Sequence, residues 1–187
     1  MLRITKRQCD HRGIQTIQVE SRPNRSATYT SVINRTQILS NAPRGSGSLE
    51  DIDGDGMLEF IETEHCGAGP NCFRRVFKID PHTNRTFLFF EGGFSSFERI
   101  SDFYVSTSRS NAATWVHQIY AIPGKGQPID QQNVLYSITV SKQSVDAPAN
   151  CRAQQPKGSG WATIELKQKS LMALCEVLGD NVVLERP

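Results

Sequence analysis

The sequence predicts an all-β fold, a propeller-like or sandwich meander of short antiparallel strands with one short C-terminal helix. Three observations predict it. Short runs alternate, as in Val134, Tyr136, Ile138 and Val140, with Ser137 and Thr139 between them. Turn-forming clusters divide these runs at regular intervals, as in Asp80-Pro81-His82-Thr83-Asn84-Arg85. Helical periodicity is concentrated in a single segment near the C-terminus. With 187 residues and 37% hydrophobic content, the chain suits one domain over 1–187 with a real core.

In chain order, strands are expected over 14–20, 28–33, 36–39, 57–63, 73–79, 86–91, 103–106, 115–122, 134–140 and 161–166. Each is a short β-branched or aromatic run bounded by turn residues. Ile33-Asn34-Arg35-Thr36 reads as a tight turn, and residues 80–85 as a hairpin loop. The Pro- and Gly-rich stretches 123–128 and 146–160 read as long loops. Leu171, Leu174, Cys175 and Leu178 recur at helical spacing, with Ser170 placed as an N-cap and Gly179 as the residue just past the end.

The most specific motif is Asp51-Ile-Asp53-Gly-Asp55-Gly56-Met57-Leu58-Glu59-Phe60-Ile61-Glu62, a calcium-loop signature. Asp51, Asp53 and Asp55 stand at alternate positions and Gly56 permits the sharp turn. Met57 supplies a backbone carbonyl, Glu59 another oxygen, and Glu62 closes the site with both of its oxygens. Calcium takes six to eight such hard ligands, and without a cation the carboxylates would repel one another. Leu58 occupies the usual place of an apolar anchor. The flanks are not those of an EF-hand. Residues 41–48 are rich in Pro, Gly and Ser, and residues 58–64 read as a strand. A sensor that opens paired helices is therefore not expected, and the calcium is read as structural.

Five cysteines bear on the compartment. Cys66 and Cys72 bracket a compact turn, Cys151 and Cys175 bracket a Gly- and Pro-rich stretch, and Cys9 is left over. No C-x-x-C pair suggests zinc or a thioredoxin-like site. Two disulfides and one odd thiol is the favoured count, against five reduced thiols packed as small hydrophobes. An oxidising compartment also suits calcium, since loops with dissociation constants of about 10⁻⁴–10⁻³ M suffice outside the cytosol. The periplasm or the exterior is the expected location. No apolar run approaches the roughly 20 residues of a membrane span, and the N-terminus lacks the apolar core of a secretory signal, so the chain is read as either cytosolic or a mature form with its leader removed.

Charge and catalytic motifs narrow the function. The formal net charge is +2, but six acidic residues lie between Glu50 and Glu62, leaving 13 acidic against 21 basic residues elsewhere. The basic residues are spaced and read as a solubilising surface, with no nucleic-acid partner expected. No nucleophile elbow, H-E-x-x-H pair or phosphate loop occurs among the 187 residues, and the chain is read as a non-enzyme. His117 is read as a packed strand residue and His65 as a neighbour of the calcium loop. The aromatic run 87–97 divides into a buried strand and a segment, Gly92 to Phe97, that is either an exposed tip or a core-facing corner.

The acidic loop, the cysteine- and glycine-rich turn after it, the strand–turn–strand from Phe73 to Phe90 and the terminal Ser170-Leu-Met-Ala-Leu-Cys175 together resemble a known family. It is that of the calcium-containing periplasmic lysozyme inhibitors of Gram-negative bacteria, some of which are immunity proteins for secreted peptidoglycan-cleaving toxins in xanthomonads. The resemblance spans residues 13–122. It implies an eight-stranded propeller-like domain that inserts a loop into the active site of a lysozyme-like hydrolase. Ser46, Gly47 and Ser48 are the nearest match to that loop, with Leu49 where an aromatic residue is usual. Phe94, Ser95, Ser96 and Phe97 form the competing candidate. The positive charge outside the acidic loop would repel the many lysozymes that are basic, a conflict that a secreted toxin with an acidic surface would remove. The same acidic loop occurs in FG-GAP and other adhesion repeats, so a calcium-dependent adhesion module binding cell-wall glycan is the alternative.

Overall fold

The computed structural model describes residues 1–8, 14–22, 24–38, 47–67, 69–80, 83, 85–144, 146–178 and 182–184. Within these, the side chains of 6–8, 14, 15, 36–38, 177, 178 and 182 are not described. The architecture is all-β, as expected, with three sheets among the described residues. The chain groups into two compact units, one containing Met1–Ala68 and Cys72–Gly93, the other Phe94–Pro123 and Ile129–Pro187.

The first unit holds two sheets. Strands β1 (Leu2–Gln8), β2 (Ile14–Ser21) and β3 (Thr30–Ile38) form an antiparallel meander. Strands β4 (Gly47–Glu50), β5 (Glu59–Cys66), β6 (Cys72–Asp80) and β7 (Arg85–Phe94) pair in chain order. Both sheets contribute to one core. Ile17, Val19 and Ile33 from the first cluster with Phe60, Phe77 and Ile79 from the second. These residues sit at alternate positions of their strands, which puts each set on a single face.

The segment expected to turn at Asn34-Arg35 runs straight on. Asn34 pairs with Gln18 and Arg35 with Ile17, so two expected strands merge into β3. No glycine or proline forces a turn there. β3 lies at the edge of its sheet, where exposed polar side chains are favoured and mimic a turn signal.

The second unit holds a larger sheet. Strands β8 (Ser96–Ile100), β9 (Phe103–Asn111), β10 (Thr114–Ala121), β11 (Val134–Ser141), β12 (Ala149–Lys157) and β13 (Gly160–Ile164) are antiparallel neighbours in chain order. Strand β14 (Val182–Leu184) adds to β12 in parallel. Ser101, at φ 54°, begins the two-residue turn between β8 and β9, and Gly158, at φ 61°, does the same between β12 and β13. A left-handed first residue matches the strand twist in such hairpins.

Strand β12 replaces most of the loop expected over 146–160. Ala149, Cys151 and Ala153 alternate and are buried, but their side chains are small and flanked by Pro148 and Pro156. The short C-terminal helix lies where it is expected, but only its first turn is α-helical. α1 covers Lys169–Met172 and continues as a 3-10 helix over Ala173–Leu178. Its N-cap is Gln168, and Ser170 lies inside the first turn. Gly179 is outside the described residues. Leu171, Leu174 and Cys175 nevertheless cluster with Val140, Ala149, Cys151 and Ala153, so the apolar stripe covers the sheet. The small residues of β12 leave space for those leucines.

Both bracketing cysteine pairs are disulfides, Cys66–Cys72 joining the ends of β5 and β6 and Cys151–Cys175 joining β12 to the 3-10 helix. Cys9 lies outside the described residues.

Candidate metal centre

The acidic loop, residues 51–58, connects β4 to β5 in a hairpin whose last pair is Glu50 with Glu59. Its backbone is held by its own carboxylates. Asp51 accepts from the Gly54 N–H at 2.8 Å and, through its other oxygen, from the Gly56 N–H at 3.0 Å. Asp53 accepts from the Asp55 N–H at 3.3 Å, and Asp55 from the Met57 N–H at 2.7 Å. Gly54 and Gly56 have φ of 70° and 81°, the left-handed region where a side chain is strained. Each amide donor given to a carboxylate leaves that carboxylate oriented toward the loop interior.

Three of the six expected ligands converge. One carboxylate oxygen each from Asp51, Asp53 and Glu59 lies within 4.8 Å of the others. Glu59 is buried at the start of β5, where it accepts from the Ile52 N–H at 3.0 Å. Burial pushes its carboxyl up to about 7, against the lowering effects of the Ile52 amide and the Lys78 ammonium. Ile52, rather than Leu58, anchors the loop. Ile52 is buried and Leu58 is 40% exposed, beside a Met57 that is 38% exposed.

Asp55 and Glu62, two of the other expected ligands, are placed differently. Asp55 lies outside the converging group and spends one oxygen on the Met57 amide. Glu62 is on the wrong face of its strand. Residues 59 and 62 are three apart in a regular β segment, so their side chains leave opposite sides of the sheet. A helix after the loop would bring position 12 back to the ion, but a strand does not. Glu62 instead pairs across the sheet with Arg75, its Oε2 lying 3.7 Å from that guanidinium. Arg75 also meets Glu64 at 3.2 Å and Glu91 at 3.3 Å.

Lys78 on β6 is the residue that sequence reading missed. Its Nζ is ion-paired with Asp53 Oδ2 and lies 3.7 Å from Glu59 Oε1. The signal was present in the pairing. If Phe60 faces Phe77 on the core side, the neighbouring pair on the other side is Glu59 and Lys78.

The donor set is all carboxylate oxygen, which fits a hard divalent cation such as calcium. Two of the three converging carboxylates already face an ammonium, so an ion there would have to contend with Lys78.

The expected partner-binding residues do not form exposed tips. Gly47 is buried in β4, where a Cβ would lie 2.8 Å from the Phe60 ring, and the Ser48 hydroxyl donates to Glu50 at 2.6 Å. Ser46 lies outside the described residues. Phe94 and Phe97 are 2% and 6% exposed, with Phe97 stacked on Tyr104 at 5.6 Å. The Ser95 backbone N–H and hydroxyl both donate to the Thr107 carbonyl, at 2.7 and 2.9 Å. Only Ser96 of that group is exposed. The segment is thus the core-facing corner. Phe97 pairs with Ser106 of β9, on the same face of that strand as Tyr104.

Of the histidines, His117 is buried, with Nδ1 2.9 Å from the Thr107 hydroxyl, and burial holds its pKa down at about 4. The exposed ring of His65 stacks on Phe73. His11 and His82 lie outside the described residues.

No protein-family model matches the chain, and no curated protein matches it. Among solved structures the chain is similar to a Xanthomonas type IV secretion system related protein. The two share 12% identity over 87% of this chain and 86% of that one, with a TM-score of 0.49. That likeness is too distant to carry residue roles from one chain to the other.

Proposed function

We propose that this chain is an extracytoplasmic, non-enzymatic binding protein whose β4–β5 loop is locked by a calcium ion, and that it acts as an inhibitor or immunity protein against a lysozyme-like peptidoglycan hydrolase. The observation that carries the calcium reading is the convergence of Asp51, Asp53 and Glu59 on a loop whose amides already orient them. These three would hold the ion. When bound, the ion neutralises the carboxylates and pins the loop to the sheet; it supplies no chemistry to a substrate. Two disulfides favour an oxidising compartment, where calcium is plentiful. The hydrolase as target comes from the sequence resemblance.

A second reading is a glycan-binding module, and one feature favours it. Gln118, Ser137, Gln154 and Thr163 stand in register across β10 to β13, on the face away from the helix, and Trp161 on that face is 47% exposed. Hydroxyl and amide groups beside an exposed indole suit a sugar ring.

The two readings separate in one experiment. With excess calcium the chain should suppress the clearing of a peptidoglycan suspension by a lysozyme-like hydrolase with an acidic surface, and should lose potency in chelator. Unimpeded clearing by a panel of such hydrolases, with the chain sedimenting alongside the peptidoglycan, would favour the glycan module instead.

A further inference from the structure

Lys78 points to a regulation of the acidic loop, an inference that rests on the calcium reading above. Its side chain is 19% exposed, and its ammonium faces Asp53 and Glu59. These are two of the three carboxylates that converge. An ion held by them would lie about 2.3–2.6 Å from their oxygens. Nζ is already within ion-pairing range of the same two side chains, so the two cations would be no more than a carboxylate group apart. Like charges that close, in a partly buried site, repel strongly. One of them has to leave.

In the same position the ammonium already touches an aromatic ring. The Phe89 ring centroid is 4.7 Å from Nζ. A flexible four-carbon stem lets the ammonium withdraw from the carboxylates while keeping that cation–π contact. We infer that Lys78 is the resident counterion of the loop and exchanges with calcium. In the metal-free protein it relieves the repulsion among the carboxylates and keeps the loop folded. On binding, calcium displaces it. The exchange weakens the affinity for calcium and narrows the stability difference between the two forms. The loop then responds to the high calcium of an extracellular space without collapsing when calcium is low.

The test is calorimetric titration of calcium chloride into the metal-stripped full chain, as wild type, Lys78→Met and Lys78→Arg. Lys78→Met should bind about tenfold tighter or more, because the competing charge is gone, while Lys78→Arg should stay near wild type. In chelator Lys78→Met should melt below wild type, and saturating calcium should close that gap. If Lys78→Met does not fold, Lys78→Gln gives the same readout. Equal affinities in wild type and the uncharged variant would overturn the exchange and leave the calcium reading standing. No binding in any variant would overturn both. Binding by Lys78→Met but not by wild type would support the lysine as resident cation and overturn calcium as the natural ligand.

Discussion

Glu59 and Glu62 carry the same functional group three residues apart, and the strand sends them to different fates. Glu59 turns toward the acidic loop and Glu62 toward Arg75. Glu59→Gln should therefore weaken calcium binding about tenfold or more, since a carboxylate ligand is lost. Glu62→Gln should leave the affinity within about twofold of wild type while lowering the melting temperature, because a buried partner of Arg75 loses its charge. Isothermal titration beside a thermal melt reads both. His117 provides an independent check on the second unit. Its pKa is about 4 when folded, below the ordinary 6.5, so the unfolded chain binds more protons between those values. Stability then rises with pH through that window and is lost as pH falls from 6.5 toward 4. The shift corresponds to about 3 kcal/mol for a fully buried imidazole. Denaturant melts from pH 4 to 7 should show this slope, and His117→Gln should flatten it.

At the scale of elements, legibility followed side-chain size. Strands with large β-branched or aromatic residues, such as β6, β10 and β11, lie where the alternation put them. Strand β12 resembles a loop in sequence because Ala149, Cys151 and Ala153 mark its buried face only faintly. What makes that strand is the set of leucines packed over it, a partner no local window contains. The motif from Asp51 to Glu62 was legible as chemistry, but its ligand set was not. A spacing borrowed from loops followed by helices assigned Glu62 to the ion, and the strand after the loop reverses that side chain. Lys78 was hidden for a related reason, since its role follows from cross-strand register and not from neighbours in sequence. The cysteine pairs were legible from the segments they bracket. Cys151–Cys175, with a sequence separation of 24, should contribute about 3 kcal/mol by limiting the unfolded chain. Replacing both residues with serine should lower the denaturant midpoint accordingly, and an unchanged midpoint would mean that core packing alone fixes the helix to β12.

Across the molecule, charge is divided in a way that matters for partners. Six of the 19 acidic residues crowd around one hairpin, and elsewhere 13 acidic residues stand against 21 basic ones. Calcium bound at the hairpin would remove much of its negative field, leaving a surface that attracts anionic partners more strongly. Complex formation with an acidic hydrolase should therefore be faster in calcium than in chelator, and the difference should shrink as salt is raised.

Everything proposed for the loop depends on a divalent ion being held by Asp51, Asp53 and Glu59. Diffraction from crystals grown in millimolar calcium, recorded at a wavelength where calcium scatters anomalously, tests it directly. An ion held there gives an anomalous peak about 2.3–2.6 Å from those three carboxylates, with the Lys78 ammonium withdrawn from Asp53 and still over Phe89. A map with no peak among them, and Lys78 still paired with Asp53, would contradict it.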